Sequence, residues 1–250
     1  MPHAGTSEEE GATVQPGKKR SSERRQRRHA MILSIATELF IEKGYHATTT
    51  EDIARHGAFS VGLIYRHFSK KEDILFEAIQ STSRRILSEL PALIKDEPNS
   101  LRRFFVALKH YHRIDIENKQ SSILGVRETK SLGRDQIEEV KRLEKASTSI
   151  ISDCIEACIA AGAFRPVDVE MLTYQVVMHV YNWSLNAWRF SPRRKPESYL
   201  RAGLDNLLRS VVSTEDKWKE VLTDFSLEDS AEKPPQKRPA RKRSNARKTS

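Results

Sequence analysis

The sequence predicts an all-α protein: a small head of three short helices, then a larger helical body. Apolar residues recur at three- and four-residue spacing through most of residues 31–213. No hairpin-forming turn separates alternating runs anywhere in the chain. The 250 residues suit one large domain or two modest ones.

The elements follow in order. Ile32, Ile35, Ala36, Leu39 and Phe40 form one face of an amphipathic helix, and Gly44 stops it. Thr48, Thr49 and Thr50 stand before Glu51 and Asp52, hydroxyls ahead of acids, which is a helix start. That short helix carries Ile53 and Ala54 and breaks at Gly57, and Ser60 caps another from Val61 to Phe68. Lys70-Lys71-Glu72-Asp73 opens a longer helix through Ile74, Leu75, Ala78 and Ile79. Helical segments then read as 99–118, 120–132, 134–161, 167–190 and 197–213. The third of these has its stripe at Ile137, Val140, Leu143, Ser147, Ile150, Cys154 and Cys158, and ends at Gly162. The fourth is rich in aromatics, and Pro192 and Pro196 separate it from the last.

Charge is unevenly spread over a chain whose formal net charge is +9. Residues 18–28 hold seven bases against Glu23, and residues 233–250 hold eight bases and no acid. Residues 29–232 are nearly neutral. Basic ends of this kind bury too little to offset chain entropy, so residues 1–23 and 214–250 are expected to be mobile arms. Mobile cationic arms attract polyanions with salt-sensitive affinity. The C-terminal arm reads equally well as a solvated tail.

Several classes of function are excluded or disfavoured. Two cysteines make no disulfide framework and suit a reducing compartment. No apolar run is long enough to span a bilayer, and the first thirty residues lack the apolar core of a signal peptide, so a cytoplasmic protein with no membrane partner is expected. No Gly-rich phosphate loop, His-Glu-x2-His or Gly-x-Ser-x-Gly occurs, which argues against an enzyme and against a cofactor or metal. Cys154 and Cys158, one helical turn apart, have the spacing for metal or oxidation chemistry but lie in an apolar stripe, where thiols are structural. Glu138, Glu139 and Glu144 read as solvated partners of Lys141, Arg142 and Lys145.

Three short helices with a tight turn between the last two describe a helix-turn-helix, whose second short helix enters the DNA major groove N-terminus first. The residues Phe40-x3-Gly44-Tyr45, Thr48-Thr49-Thr50-x2-Ile53-Ala54, Ser60-x-Gly62-x2-Tyr65-x-His67-Phe68 and Lys71-Glu72 stand in fixed order over residues 28–76. In that order and spacing the chain resembles the TetR/AcrR-type regulators.

The resemblance implies roles for particular residues. Thr49 and Thr50 cap the second helix and touch a phosphate. Tyr65 and His67 contact the DNA backbone, and Lys71 binds a phosphate. Phosphate contacts set register while base edges carry sequence, so Ser60 opens a reading helix whose candidate base readers are Val61, Gly62, Leu63 and Arg66. Arg27 and Arg28 place the basic arm on DNA. The turn departs from the family pattern at Gly57-Ala58-Phe59-Ser60, so either the residue of positive φ has moved by one or Ala58 carries mild strain.

One short reading helix buries little, so such proteins bind as dimers to two half-sites. Residues 167–213 are the expected homodimer surface, which the resemblance places in a four-helix bundle with the mate. The other helices have residues to line a ligand: Phe105, Leu108 and His112 on one, Tyr174, Met178 and Trp183 on another, with Arg127 as a charged anchor. The Gly162-Ala163-Phe164-Arg165 turn, Asn182-Trp183 and Trp188 are similar to family members that respond to acyl-coenzyme A thioesters. The family mechanism implies ligand wedged against Ile86 to Leu93, tilting the helix that joins the two parts.

The organisation expected is a helix-turn-helix domain at 24–72 and a helical ligand-binding and dimerisation domain at 73–213. The function expected is a homodimeric transcriptional regulator, a repressor on an inverted-repeat operator, released by a small hydrophobic ligand such as an acyl-CoA. The alternative is an architectural protein that grips DNA nonspecifically through its basic ends.

Overall fold

The computed structural model describes residues 16–213, which fold into nine α-helices and one 3₁₀ turn with no strand among them. The expected arm at 1–15 and the tail at 214–250 lie outside the described residues.

Helix α1 runs Pro16–Glu42 and begins inside the segment 1–23 expected to be mobile. Proline is tolerated at a first helical position, and residues 18–41 contain no glycine or proline to break the run. Residues 20–28 of this helix have exposed side chains, and burial starts at His29 and Ile32. Gly44, at φ +88°, then reverses the chain. Buried Thr48 donates its hydroxyl to the carbonyls of Leu39 (3.2 Å) and Gly44 (2.9 Å), satisfying the end of α1.

Helices α2 (Thr50–His56), α3 (Val61–Tyr65) and α4 (Lys71–Ile94) complete the head. Ile32, Ala36, Leu39 and Phe40 pack there with Ile53, Ile64, Phe68, Ile74 and Leu75. In the turn between α2 and α3, Ala58 is the residue that takes positive φ, at 51°. A left-handed alanine costs about 1–2 kcal/mol. Gly57 stays right-handed, and a Cβ there would collide with the Phe59 ring, so this glycine serves close packing rather than chain reversal.

The body comprises α5 (Ser100–Glu117), α6 (Lys119–Glu128), the 3₁₀ turn Thr129–Ser131, α7 (Arg134–Ala160), α8 (Val169–Phe190) and α9 (Pro196–Leu208). These match the segments read from the sequence, except that the last helix stops at Leu208 rather than 213. Residues 209–213 fold back instead, where Val211 accepts from Arg165 N (2.8 Å) and Ala163 accepts from Ser213 N (3.0 Å). Gly162 makes that turn with φ +66°.

Helix α4 belongs to both cores. Ile74, Leu75, Ala78 and Ile79 sit in the head cluster, whereas Ile86, Leu90 and Ile94 sit in the body cluster with Phe104, Tyr111 and Phe164. The head core also takes Leu124 from α6 and Leu132 after the 3₁₀ turn. A division at residues 72 and 73 therefore does not coincide with the change of core. Cys154 and Cys158 are buried in the body cluster, and burial pushes their thiols up to about 11 and about 12. Thiols so held are poor nucleophiles and poor metal ligands.

Candidate nucleic-acid interface

The reading surface is built by two short capped helices. Thr49 closes a capping box with Asp52, in which Asp52 N donates to the Thr49 hydroxyl (3.1 Å) and Thr49 N donates to the Asp52 carboxylate (3.2 Å). Ser60 accepts from Leu63 N (3.2 Å) and starts α3. Both hydroxyls therefore serve the helices first. Thr50 is buried, with its hydroxyl 3.4 Å from that of Tyr65, so it positions the tyrosine.

Across α3, Gly62, Tyr65 and Arg66 are exposed, while Val61 and Leu63 are half-buried against the head core. The side of Gly62 is open: a Cβ there would meet no atom within 4 Å. Tyr65 is 51% exposed although its neighbour Ile64 is fully buried. An aromatic left half exposed on a small capped helix keeps surface available to meet a partner.

His67 and α1 meet beside the C-terminal end of α3. The His29 ring stacks on Phe68 at 4.4 Å and lies 5.7 Å from the His67 ring. His29 Nε2 is 2.6 Å from Glu77 Oε1, which ties α1 to α4. Burial, and then the positive fields of His29, Arg25, Arg66 and Arg28, hold His67 below the usual histidine range. Arg25 and Arg28, exposed on α1, thus add a basic surface next to the reading helix, and Arg27 is exposed on the same helix.

Lys71 faces inward. Its ammonium donates to the carbonyls of Tyr45 (2.9 Å) and Thr48 (2.7 Å) and sits 4.3 Å from the centre of the Tyr45 ring. Burial lowers its pKa. The side chain taken from the resemblance as a phosphate contact spends two of its three donors inside the head.

Of the ligand residues expected from sequence, Phe105, Leu108 and Met178 meet in one core cluster and the others are spread around it or away from it. Phe105 and Leu108 are in the body core, and His112 is buried with Nε2 3.1 Å from the Pro196 carbonyl oxygen. Trp183 packs on Tyr199 and Phe190, and Tyr174 and Arg127 are exposed. Met178 is the member of that set that lines a cavity in the body. This cavity, of about 350 Å³, lies among α4, α6, α7 and α8 and is bounded by Ile79, Thr82, Ser83, Ser121, Ser122, Gly125, Val126, Thr129, Val140, Lys141, Glu144, Met178, Tyr181 and Leu185. It meets α4 at Ile79–Ser83, nearer the head than the expected Ile86–Leu93. Lys141 and Arg142 pair with Glu138 (2.9 Å) and Glu139 (2.6 Å) as read from sequence, whereas Glu144 borders the cavity. One sequence signal pointed to this wall: Thr82 interrupts the apolar stripe of α4, falling between Ile79 and Ile86 on the buried face.

Among the described residues, no helix is long and apolar enough to cross a membrane, and no three His, Cys, Asp or Glu side chains gather as a metal site.

Comparison with known proteins places these features. Residues 32–78 match the bacterial regulatory proteins of the tetR family, and residues 98–211 match the tetracyclin repressor-like C-terminal domain. The HTH-type transcriptional regulator HbdR of Aromatoleum sp. (strain CIB) is 34% identical over 192 residues, covering 77% of this chain and 83% of that protein. A crystal structure of a tetR-family regulatory protein from Rhodococcus RHA1 superposes with a TM-score of 0.66 at 25% identity, over 75% of this chain and 98% of that one. The regulator FadR from Bacillus subtilis, solved with stearoyl-CoA, shares the fold with a TM-score of 0.59 at 17% identity, over 72% and 98% of the two chains.

Proposed function

The chain belongs to the TetR family of transcriptional regulators, and from that premise we propose that it is a homodimeric repressor whose hold on an inverted-repeat operator is released by a small hydrophobic effector. The observation that carries the DNA half is the face of α3, where Gly62, Tyr65 and Arg66 stand exposed beside the basic side chains of α1. Tyr65, Arg66, Arg25 and Arg28 hold the backbone, and the open flank of Gly62 admits base edges to close approach. Head and body divide the work as DNA reader and as ligand-binding and dimerising unit, joined by α4.

The dimer surface is assigned to α8 and α9, on the first of which Met171, Tyr174 and Trp188 are exposed at 52%, 61% and 76%. Large apolar groups left on one helix mark an association surface. The effector is assigned to the cavity beside Thr82. An acyl-CoA thioester is the class supported by the stearoyl-CoA bound to the Bacillus subtilis neighbour. Two routes lead from cavity to head. One is α4 itself. The other is the 3₁₀ turn after α6, where Ser131 Oγ lies 3.1 Å from His46 Nε2 and Gly133 N donates to Glu72 (2.8 Å). An effector releases DNA only to the extent that it binds the DNA-incompetent arrangement more tightly.

Selection of bound duplexes from a random DNA library, with full-length protein at near-physiological salt, tests the reading. Enrichment of an inverted repeat supports a dimeric operator reader. Retention of DNA without a shared sequence would overturn it in favour of nonspecific binding through the basic ends.

A further inference from the structure

Four of the six hydroxyl-bearing residues lining the cavity are committed to the protein, and of the other two Ser83 is only half-buried. Ser121 donates to the Ile79 carbonyl (2.9 Å), Thr129 to the Gly125 carbonyl (2.5 Å) and Ser122 to the Asp115 carboxylate (2.7 Å). The Tyr181 hydroxyl is 3.0 Å from that of Tyr111. Thr82 differs. It is 4% exposed, and its hydroxyl has no hydrogen-bond partner among the described residues. A helical threonine ordinarily bonds back to the carbonyl four residues earlier, as Thr37 does to Leu33 at 2.7 Å. For Thr82 that carbonyl is Ala78, which already accepts from Ser81 (2.9 Å). A buried hydroxyl without a partner is costly, and such groups usually have one.

The charges around the cavity decide what that partner is. Asp115 is fully buried behind Ser122, and its two oxygens accept from Ser122 and from Ser184 (2.5 Å) rather than from a cation. Glu144 is a second carboxyl on the wall, and the rim lysine, Lys141, is paired with Glu138. A carboxylate entering this space would be desolvated among acids, while Lys141, 65% exposed, is held at the surface by Glu138. A cation would find the Asp115 oxygens taken by serines, and on the wall the Glu144 carboxyl, which burial raises toward its uncharged form. The volume of about 350 Å³ equals roughly a dozen waters at ~30 Å³ each, which suits a short group.

We propose that this cavity seats the short, uncharged, hydrogen-bonding end of the effector, an acyl thioester carbonyl rather than a free carboxylate, and that Thr82 is its anchor. This rests on the thioester reading above and assigns its residue and its chain-length limit.

Calorimetric titration of the full-length protein with butyryl-CoA, stearoyl-CoA, CoA alone and butyrate tests it, using wild type, Thr82→Val and Thr82→Ser. Butyryl-CoA is expected to bind more tightly than stearoyl-CoA and at least about tenfold more tightly than butyrate. Thr82→Val is expected to weaken butyryl-CoA alone by about tenfold, the worth of one desolvated hydrogen bond. Thr82→Ser should retain the affinity. Valine has the shape of threonine, so the ligand-free melting temperature of Thr82→Val should hold or rise, which distinguishes a missing ligand bond from misfolding. Butyryl-CoA binding that Thr82→Val leaves unchanged, or butyrate binding equal to the thioester, would overturn the site while leaving the thioester reading in place. Failure of every thioester to bind a protein that still binds its operator would overturn both.

Discussion

Asp115 is the residue whose environment departs most from what its type prefers. It stands on the buried face of α5 with Leu108 and Tyr111, and burial raises its carboxyl to about 6 against the opposing pull of the Ser184 and Ser122 hydroxyls. In the unfolded chain the carboxyl has its ordinary value near 4. Because the folded value is the higher one, ionisation is penalised in the native state. The penalty is complete above about pH 6 and disappears as pH falls toward 4. Asp115→Asn should therefore melt at a higher temperature than wild type at pH 7.5, and the gap should narrow on acidification to pH 5. A gap that is constant over this range would show that Asp115 does not titrate in the fold. The tyrosine pair nearby, Tyr111 and Tyr181, is raised above the usual phenol range by burial and stays neutral throughout.

At the scale of elements, the head is held as much by its caps as by its apolar contacts. Thr48 closes α1, Thr49 and Asp52 open α2, and Ser60 opens α3, so short helices unable to persist alone have their ends satisfied. Lys71 completes this scheme by joining the first turn of α4 to the carbonyls of Tyr45 and Thr48. Lys71→Met keeps the aliphatic stem and removes the ammonium, leaving both carbonyls short of a donor. Urea unfolding is expected to show a loss of about 1.5–3 kcal/mol, the usual worth of hydrogen bonds from a charged group. Unchanged stability together with weakened operator binding would return this lysine to the phosphate role that the resemblance implies. The basic part of α1 is a second case of an element that composition alone misjudges. Its charge density suggests a mobile arm, but a run without breakers continues the helix and carries Arg25 and Arg28 to the flank of His67.

At the scale of the whole molecule, the two cores share α4, and α6 sends Leu124 into the head core while its Ser121, Ser122 and Gly125 line the cavity. Arg85 on α4 reaches Glu89 (2.5 Å) and Glu117 of α5 (2.6 Å), and Arg113 of α5 reaches Glu89 (3.4 Å), so the distal half of α4 is clasped to the body. Charge is the other property of this scale. Eight bases lie between Lys233 and Ser250, beyond the described body. If they bind phosphates, removing residues 231–250 should flatten the dependence of DNA affinity on salt by roughly 0.9 in log–log slope for each phosphate no longer engaged. An unchanged slope in titrations at several salt concentrations would refute a DNA role for the tail.

Helix order, the caps at Thr49 and Ser60, the chain reversal at Gly44 and the family itself were legible in the sequence, because each depends on residues close together in the chain. Of the two choices the altered turn offers, Ala58 takes the left-handed conformation, while Gly57 stays right-handed with the Phe59 ring in the space a Cβ would fill. The cavity was not legible. Aromatic residues at helical spacing suggested Phe105, Leu108 and Trp183 as its lining, yet such large apolar side chains are as well suited to filling a core, and these do. Which stripe closes on a neighbour and which stands back depends on how α4, α6, α7 and α8 meet. The inward turn of Lys71 and the orphaned hydroxyl of Thr82 have the same origin, because a side chain's partner is set by residues tens of positions away. Local pattern determined the elements and the helix-turn-helix head, whereas the cavity was decided by tertiary contacts alone.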